Sequence, residues 1–382
     1  MIPLPKRATE DKHPSPTEEI LLFKSYSDQE DLNAIKKVLE RGTYWAIGPE
    51  IEEFEQKLAT FFGTKHALAF SSGTTALHSC LITLGITSGE VIVPSFTFPA
   101  TVNSVIAAGA KPVFADIEPE TLGLSVDDVA RKITPNTKAI LPMHFSGHIS
   151  RDITKLRALA DQNNIPLIED NAHSIGATLN SKMAGTFGHA AMTSFCFNKI
   201  ITTGEGGVLI TNSDDLANKL KLLRSHGRAG SDYVSCGLNF RIPTLNAALG
   251  ISQISKIHFL IESRREIARY YNNQLRGIPD LIIPEQKEGE YCVYLLYNLI
   301  LKDEKIRSQF LEHLKNHKIP YRVTYNPVHL FSYYRKQYGT KEGDLPITED
   351  IARRIITIPL HLGLTKKQQE YIATTIKQFF RK

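Results

Sequence analysis

No C-x-x-C pair occurs in this sequence: its four cysteines, Cys80, Cys196, Cys236 and Cys292, are widely spaced, and none neighbours a histidine cluster at metal-ligand spacing. That pattern excludes a disulfide framework and a zinc site, predicts no metal, and fits a reducing compartment. Long apolar runs are missing too. No stretch approaches the ~18 uninterrupted apolar residues of a membrane span. The N-terminus carries Lys6, Arg7, Glu10, Asp11 and several prolines but no apolar core of a signal peptide. The expectation is a cytoplasmic protein with no membrane partner. Charge of one sign is also scarce: 45 basic and 40 acidic residues leave a net +5, with no basic run that could serve as a nucleic-acid arm.

What is present is material for a large core. With 42% hydrophobic and 22% charged residues over 382 positions, the chain exceeds the ~250–300 residues at which single cores stop growing, so two domains are expected. Residues 1–26 read as an extended arm, because Pro3, Pro5, Pro14 and Pro16 deny helix hydrogen bonds. Ser27 and Glu30 form a capping-box pattern ahead of Leu32, Ile35, Val38 and Leu39. A second helix opens at Pro49, places Ile51, Phe54, Leu58 and Phe61 on one face, and stops at Gly63.

Short apolar runs then alternate with helix-like segments: Ala67–Phe70, Val91–Val93, Val113–Phe114, Ala139–Leu141, Pro166–Ile168, Ala190–Thr193 and Val208–Ile210. Strands buried on both faces read this way, which predicts an α/β layered sandwich with a mainly parallel sheet over residues 27–255. From 256 to 382 the character shifts to amphipathic helices, a strand run at Tyr291–Leu301, and a final helix opened by Thr365 and Gln368 in capping-box register. This segment is expected to form a smaller α+β domain.

Ligands gather at the carboxyl ends of strands in open α/β sheets, and the distinctive residues fall there. Ser71-Ser72-Gly73-Thr74-Thr75 follows the first run and leads into a helix; it is either an ordinary N-cap or a phosphate seat, where free N–H groups and a glycine admit an anion. Phe98 follows the second run and is either core or a platform for a flat ring. Asp170 ends an apolar run, so it either caps the next element or faces a cation. His173, three residues on, is either a structural histidine or a hydrogen-bond partner for a cofactor's phenolic oxygen. Lys199 closes Ser194-Phe195-Cys196-Phe197-Asn198-Lys199 ahead of Gly204-Glu205-Gly206-Gly207, whose glycines allow close approach of a ligand or a second subunit. A desolvated lysine that can attack an aldehyde, paired with a carboxylate for a ring nitrogen, points to pyridoxal 5′-phosphate.

From about Gly48 onward these residues resemble the sugar-nucleotide aminotransferases of the DegT/DnrJ/StrS type, within the fold type I pyridoxal-phosphate enzymes. The likeness rests on Gly48-Pro49 with Phe54-Glu55, Ser72-Gly73-Thr74, Pro94-Ser95-Phe96-Thr97-Phe98, Glu169-Asp170, Ser194-Phe195 with Lys199, and the G-E-G-G turn. It continues in Gly237-Leu238-Asn239-Phe240-Arg241, Asn326-Pro327-Val328-His329 and Ile358-Pro359-Leu360. The resemblance implies an aspartate-aminotransferase-like three-layer sandwich. It further implies Lys199 as the Schiff-base lysine, Asp170 as partner of the pyridine nitrogen, Gly73, Thr74 and Ser194 on the phosphate, and Phe98 on the ring. Asn239 would reach the phosphate from a neighbouring subunit, giving a homodimer with shared active sites, and His329 and Arg241 would lie near the substrate.

Many members have Gln at the position of His173 and Pro-Thr at Phe197-Asn198. The implied reaction moves an amino group from glutamate or glutamine to a keto-deoxysugar nucleotide, with Lys182, Arg228 or Arg241 as candidate pyrophosphate cations. The alternatives are amination of a keto-inositol and a cofactor-binding regulator without turnover.

Overall fold

The apolar runs form strands whose side chains alternate between two cores, and this alternation is what builds the layers. The computed structural model describes residues 19–381, so Pro3, Pro5, Pro14 and Pro16 lie outside the described residues. Ala67 and Ala69 join one buried cluster while Leu68 and Phe70 join the other; Ile92 parts from Val91 and Val93 in the same way. A strand that buries both faces can sit only inside a sheet covered on each side by helices. Phe54, Leu58, Ile153, Leu156 and Ala247 come from the helices on one face, and Leu77, Val102, Val105 and Leu216 from those on the other. Burying such side chains contributes roughly 1.5–3 kcal/mol each.

The sheet has two parts. One runs in the order His66–Phe70, Gly207–Thr211, Ala190–Ser194, Ile168–Asp170, and the other in the order Lys111–Ala115, Glu90–Pro94, Thr137–Ile140. Parallel bridges Ile140↔Leu167 and Met143↔Asp170 join them. Gly207–Thr211 runs antiparallel to both of its neighbours, whereas the other pairings are parallel. The chain is thus a three-layer α/β sandwich with a mainly parallel sheet.

The first helix, Gln29–Arg41, starts one residue later than the Ser27/Glu30 pattern predicts. Asp28 is the N-cap and Asp31 completes the box. The reason is electrostatic: the Asp28 carboxylate accepts the Glu30 and Asp31 N–H groups and also pairs with Lys256 at 2.6 Å, an anchor that a serine could not supply. Leu32 and Leu39 of its predicted apolar face are exposed, while Val38 is buried. Pro49–Phe62 and its left-handed Gly63 terminus follow the sequence expectation.

The strand run predicted at Tyr291–Leu301 divides between two sheets. Glu290–Tyr291 pairs with Thr178–Leu179, and Tyr297–Leu301 forms the centre of an antiparallel sheet with Leu281–Ile282 and Ile355–Ile358. Between them, the Val293 and Leu296 N–H groups bond to Gly147 and Ser146 carbonyls, and this diversion breaks the run. A third buried cluster surrounds the antiparallel sheet and draws on the helices Ile257–Leu275, Arg307–Asn316 and Lys366–Phe380. The last of these opens on the expected Thr365–Gln368 capping box.

Candidate active site

Three strand ends of the large sheet converge on one cavity of about 390 Å³, within the range typical of small-molecule sites. The strand His66–Phe70 delivers Ser72, whose hydroxyl accepts the Thr75 N–H at 3.1 Å and caps the helix Gly73–Thr83. The cap reading of this turn is therefore correct, yet the cap does not use the first-turn N–H groups of Gly73 and Thr74, two residues that line the cavity. A Cβ at Gly73 would lie 2.8 Å from Met192 Sδ and 3.2 Å from Ser194 Cβ, so the hollow between the turn and Ser194 exists only with glycine. Gly207 is needed for a related reason. A Cβ there would lie 2.5–2.6 Å from backbone atoms of Gly73 and Ser72. The close approach that this glycine permits is to the chain's own turn, rather than to a ligand or a second subunit.

The strand Ile168–Asp170 delivers the carboxylate. Asp170 is only 3% exposed; its Oδ2 accepts the Thr101 hydroxyl at 2.7 Å and its Oδ1 the Ala172 N–H at 3.0 Å. Thr101 is in turn 2.7 Å from the Thr97 hydroxyl. Burial pushes the Asp170 carboxyl up, against the opposing pull of Thr101, the Ala172 N–H, Lys199 and His144. The carboxylate is thus desolvated but furnished with donors and short of one cation.

Lys199 follows the strand Ala190–Ser194 and is partly buried on the cavity wall. Desolvation pushes its ammonium down to about 8, outweighing the opposing pull of Asp170. An amine in that condition is a competent nucleophile near neutral pH. Its loop starts and ends at one rung of the sheet, because Ser194 pairs with Gly207 and the Phe195 N–H bonds to the Gly206 carbonyl at 2.9 Å.

His173 is buried, and burial followed by the charges of Lys199 and Arg322 pushes its pKa well below the usual value, so the ring is neutral. Its Nδ1 accepts the Ser146 N–H at 3.3 Å, which puts the ring proton on Nε2, 3.2 Å from the Tyr325 hydroxyl. Phe98 stands at the lip, 53% exposed, with its ring centroid 6.3 Å from that of Tyr325.

The cavity thus gathers Gly73, Thr74, Phe98, Asp170, His173, Ser194 and Lys199. Other expected residues lie elsewhere. His329 is fully buried away from the cavity, between Ser95 Oγ at 2.6 Å and Glu349 Oε1 at 3.1 Å, so it braces the 322–330 loop instead of meeting a substrate at the mouth. Arg241 donates to Ser225 Oγ at 3.0 Å and does not line the cavity, which removes it from this chain's own substrate contacts. Asn239 is exposed and also outside the cavity of its own chain. Lys182 stands over the Phe187 ring at 4.8 Å, and Arg228 donates to the Gly230 carbonyl.

Sequence reasoning missed Thr101, Arg322 and Tyr325, all of which line the cavity. Thr101 carried a weak signal, one helical turn beyond Phe98. Arg322 and Tyr325 come from a segment more than a hundred positions beyond Lys199, with no local pattern to mark them.

The cavity suits pyridoxal phosphate by its donor chemistry. A hollow lined with N–H and hydroxyl donors suits a phosphate, a nucleophilic amine suits an aldehyde, and a buried carboxylate suits a pyridinium N–H.

Comparison with known proteins agrees. Residues 25–377 match the DegT/DnrJ/EryC1/StrS aminotransferase family. The chain is 36% identical to the GDP-perosamine synthase of Vibrio cholerae, over 94% of this chain and 99% of that protein. It is 34% identical to the spore coat polysaccharide biosynthesis protein SpsC of Bacillus subtilis, over 92% and 95%. A crystal structure of a DegT DnrJ EryC1 StrS aminotransferase from Brucella abortus superposes with a TM-score of 0.85 at 33% identity, covering 92% of this chain and 96% of that one. With strand ends, cavity and sequence all in accord, the chain belongs to the DegT/DnrJ/EryC1/StrS aminotransferase family.

Proposed function

We propose that this protein uses pyridoxal phosphate to move an amino group from glutamate or glutamine to a keto-deoxysugar carried on a nucleoside diphosphate. The observation that carries the reading is the placement, on the wall of one cavity, of the Lys199 amine and a buried Asp170 carboxylate held by two donors. The similarity to a GDP-perosamine synthase and to a spore coat polysaccharide protein supports a sugar as acceptor.

Bound in this cavity, the cofactor supplies an aldehyde that captures amines and a protonated ring that accepts the electron pair released at the donor α-carbon. The protein's residues do the rest. Asp170, held by Thr101 and the Ala172 N–H, would face the ring nitrogen and favour its protonated form. Gly73, Thr74 and Ser194 would hold the phosphate, and Phe98, at the lip of the cavity, would pack against the ring. His173, neutral and fixed in its tautomer by Ser146 with Nε2 beside the Tyr325 hydroxyl, would stand near the cofactor's phenolic oxygen. Lys199 would hold the aldehyde at rest, and its amine, once freed by the donor, would serve as the base that moves the proton of the donor α-carbon in both halves of the reaction.

Asn239 serves the phosphate of a second copy in this reading, and the active unit is a cytoplasmic homodimer. The exposed apolar residues Leu32, Leu39, Trp45, Ile47, Tyr233, Val234 and Leu238 support such a contact.

The test is spectroscopic. Protein stripped of cofactor and reloaded should develop the visible absorbance of the lysine link, lose it on adding glutamate or glutamine, and regain it with the correct keto-sugar nucleotide. Persistence of the absorbance in the presence of both amino acids would sink the proposal.

A further inference from the structure

A second cavity, of about 230 Å³, lies beside the helix Ile257–Leu275 and shares no lining residue with the first. Arg265, Arg269 and Asn272, spaced by four and three, stand on one face of that helix, and Arg276 follows at its C-cap. Three guanidiniums thus line one hollow. A cation at a helix C-terminus is favoured by the backbone dipole, which accounts for Arg276 but fades within the last turn, short of Arg265 and Arg269.

The side-chain acceptors on this wall are already engaged. Glu285 accepts Arg276 Nε at 3.2 Å and Nη2 at 2.7 Å, and Asn272 Oδ1 accepts the Tyr297 hydroxyl at 2.7 Å. Gln286 Oε1 accepts Arg265 Nη1 at 2.8 Å and the Cys292 N–H at 3.2 Å. The donors are in surplus. Arg269 is exposed and makes no hydrogen bond or ion pair to any described residue. Arg265 Nε is buried without a hydrogen bond, 3.4 Å from the Glu262 carboxylate. Burial pushes the Tyr294 phenol up to about 12, against Asn272 and the Gln286 N–H that face its oxygen, and no described residue accepts its hydrogen. That phenol is held in place: Tyr294 takes left-handed backbone at φ 47°, while the Val293 and Leu296 N–H groups on either side bond to the Gly147 and Ser146 carbonyls.

A wall with spare cationic donors and no spare acceptor matches a ligand that only accepts hydrogen bonds. Size narrows the choice. The cavity is smaller than the ~300–1,000 Å³ of ordinary small-molecule sites, so it encloses a compact anionic group and not a whole nucleotide. Three guanidiniums around one hollow can each meet a different oxygen of a tetrahedral group, whereas a carboxylate offers only two oxygens.

We infer that this cavity binds a phosphate or diphosphate group, at a site separate from the cofactor's phosphate seat. The inference stands on its own wall of donors and does not depend on the transamination reading.

The experiment uses full-length protein loaded with pyridoxal phosphate, so that the cofactor's own seat is filled, as wild type, Arg269→Gln and Arg269→Glu. Binding of inorganic diphosphate is measured by calorimetry at low ionic strength, where an exposed charge is least screened. Wild type should bind it saturably. Arg269→Gln should bind about tenfold more weakly, the lower end for a charge-assisted bond because the cation is exposed, and Arg269→Glu should not bind. The visible absorbance and the melting temperature without diphosphate should be the same in all three, since Arg269 lies outside the cofactor cavity and bonds to no described residue. Competition then names the source: GDP, UDP or dTDP displacing diphosphate from wild type supports a group carried on a nucleotide, and no displacement supports the free anion. Absence of saturable binding by wild type at millimolar diphosphate overturns the inference. So does equal affinity in Arg269→Gln, which places the anion elsewhere on the protein.

Discussion

Removing the Thr101 hydroxyl tests the proposed role of Asp170 without touching the carboxylate. Thr101→Val keeps the side-chain shape and deletes the 2.7 Å bond to Oδ2, leaving the Ala172 N–H at 3.0 Å as the nearest donor. A hydrogen bond to a charged group is worth about 1.5–3 kcal/mol, and each 1.4 kcal/mol is about tenfold in affinity. Cofactor binding that requires an ionised Asp170 should therefore weaken by roughly tenfold to a hundredfold.

The sign with pH follows from the same bond. Thr101 favours the charged carboxylate, and burial already pushes its pKa up, so the variant's pKa rises further. The variant should lose cofactor on acidification at a higher pH than wild type, and Thr101→Ser should restore most of the difference. The assay is a titration of cofactor-free protein with pyridoxal phosphate, followed by visible absorbance and by calorimetry, over a series of buffers from neutral to mildly acid. Identical dissociation constants and identical acid limits for wild type and Thr101→Val would refute the argument that this hydroxyl keeps Asp170 charged.

Lys199→Ala should abolish the visible absorbance and reduce turnover by at least the ~10²–10⁴ of a positioned acid–base; borohydride reduction of wild type should fix the cofactor mass on the peptide containing residue 199, and labelling elsewhere contradicts the assignment. The rate at which cofactor-free protein condenses with the aldehyde should climb with pH and level off near 8, where the Lys199 amine becomes neutral; a rise continuing to the pKa of an ordinary lysine refutes the lowered value. Gly207→Ala forces a methyl to within 2.5–2.6 Å of the Ser72–Gly73 backbone. It should cost about 1–3 kcal/mol in chemical denaturation and weaken cofactor binding, and a variant as stable as wild type would show that the turn can yield.

The fold was legible because apolar runs between helical segments can bury only in a covered sheet, and Ala67–Phe70 or Val91–Val93 alternate between two cores as such strands must. The direction of the Gly207–Thr211 strand was not legible. It runs antiparallel because the lysine loop returns the chain directly beside the strand it left, and loop geometry of that kind leaves no periodicity in the sequence. Asp28 displaced Ser27 as helix cap because Lys256, more than two hundred positions away, rewards a carboxylate there.

At the site, the residues that could be placed were those attached to strand ends: Asp170 closes its strand, and Gly73 and Lys199 lie in the turns that follow theirs. Arg322 and Tyr325 reach the same cavity through tertiary folding. His329 shows the converse error, since a histidine in a distinctive motif proved to be a bracing group between Ser95 and Glu349.

The antiparallel strand has one more consequence. It lies between the strand that leads into the phosphate turn and the strand that leads into the lysine loop, so it works as a spacer: two interstrand steps, roughly 10 Å in all, set the span between anion seat and nucleophile. Because the backbone ladder sets that length, side chains can vary without changing it. Residues 195–206 are fastened at both feet to a single rung, which makes this segment an exchangeable cassette: evolution can retune the surroundings of the amine while the ruler beneath it stays fixed.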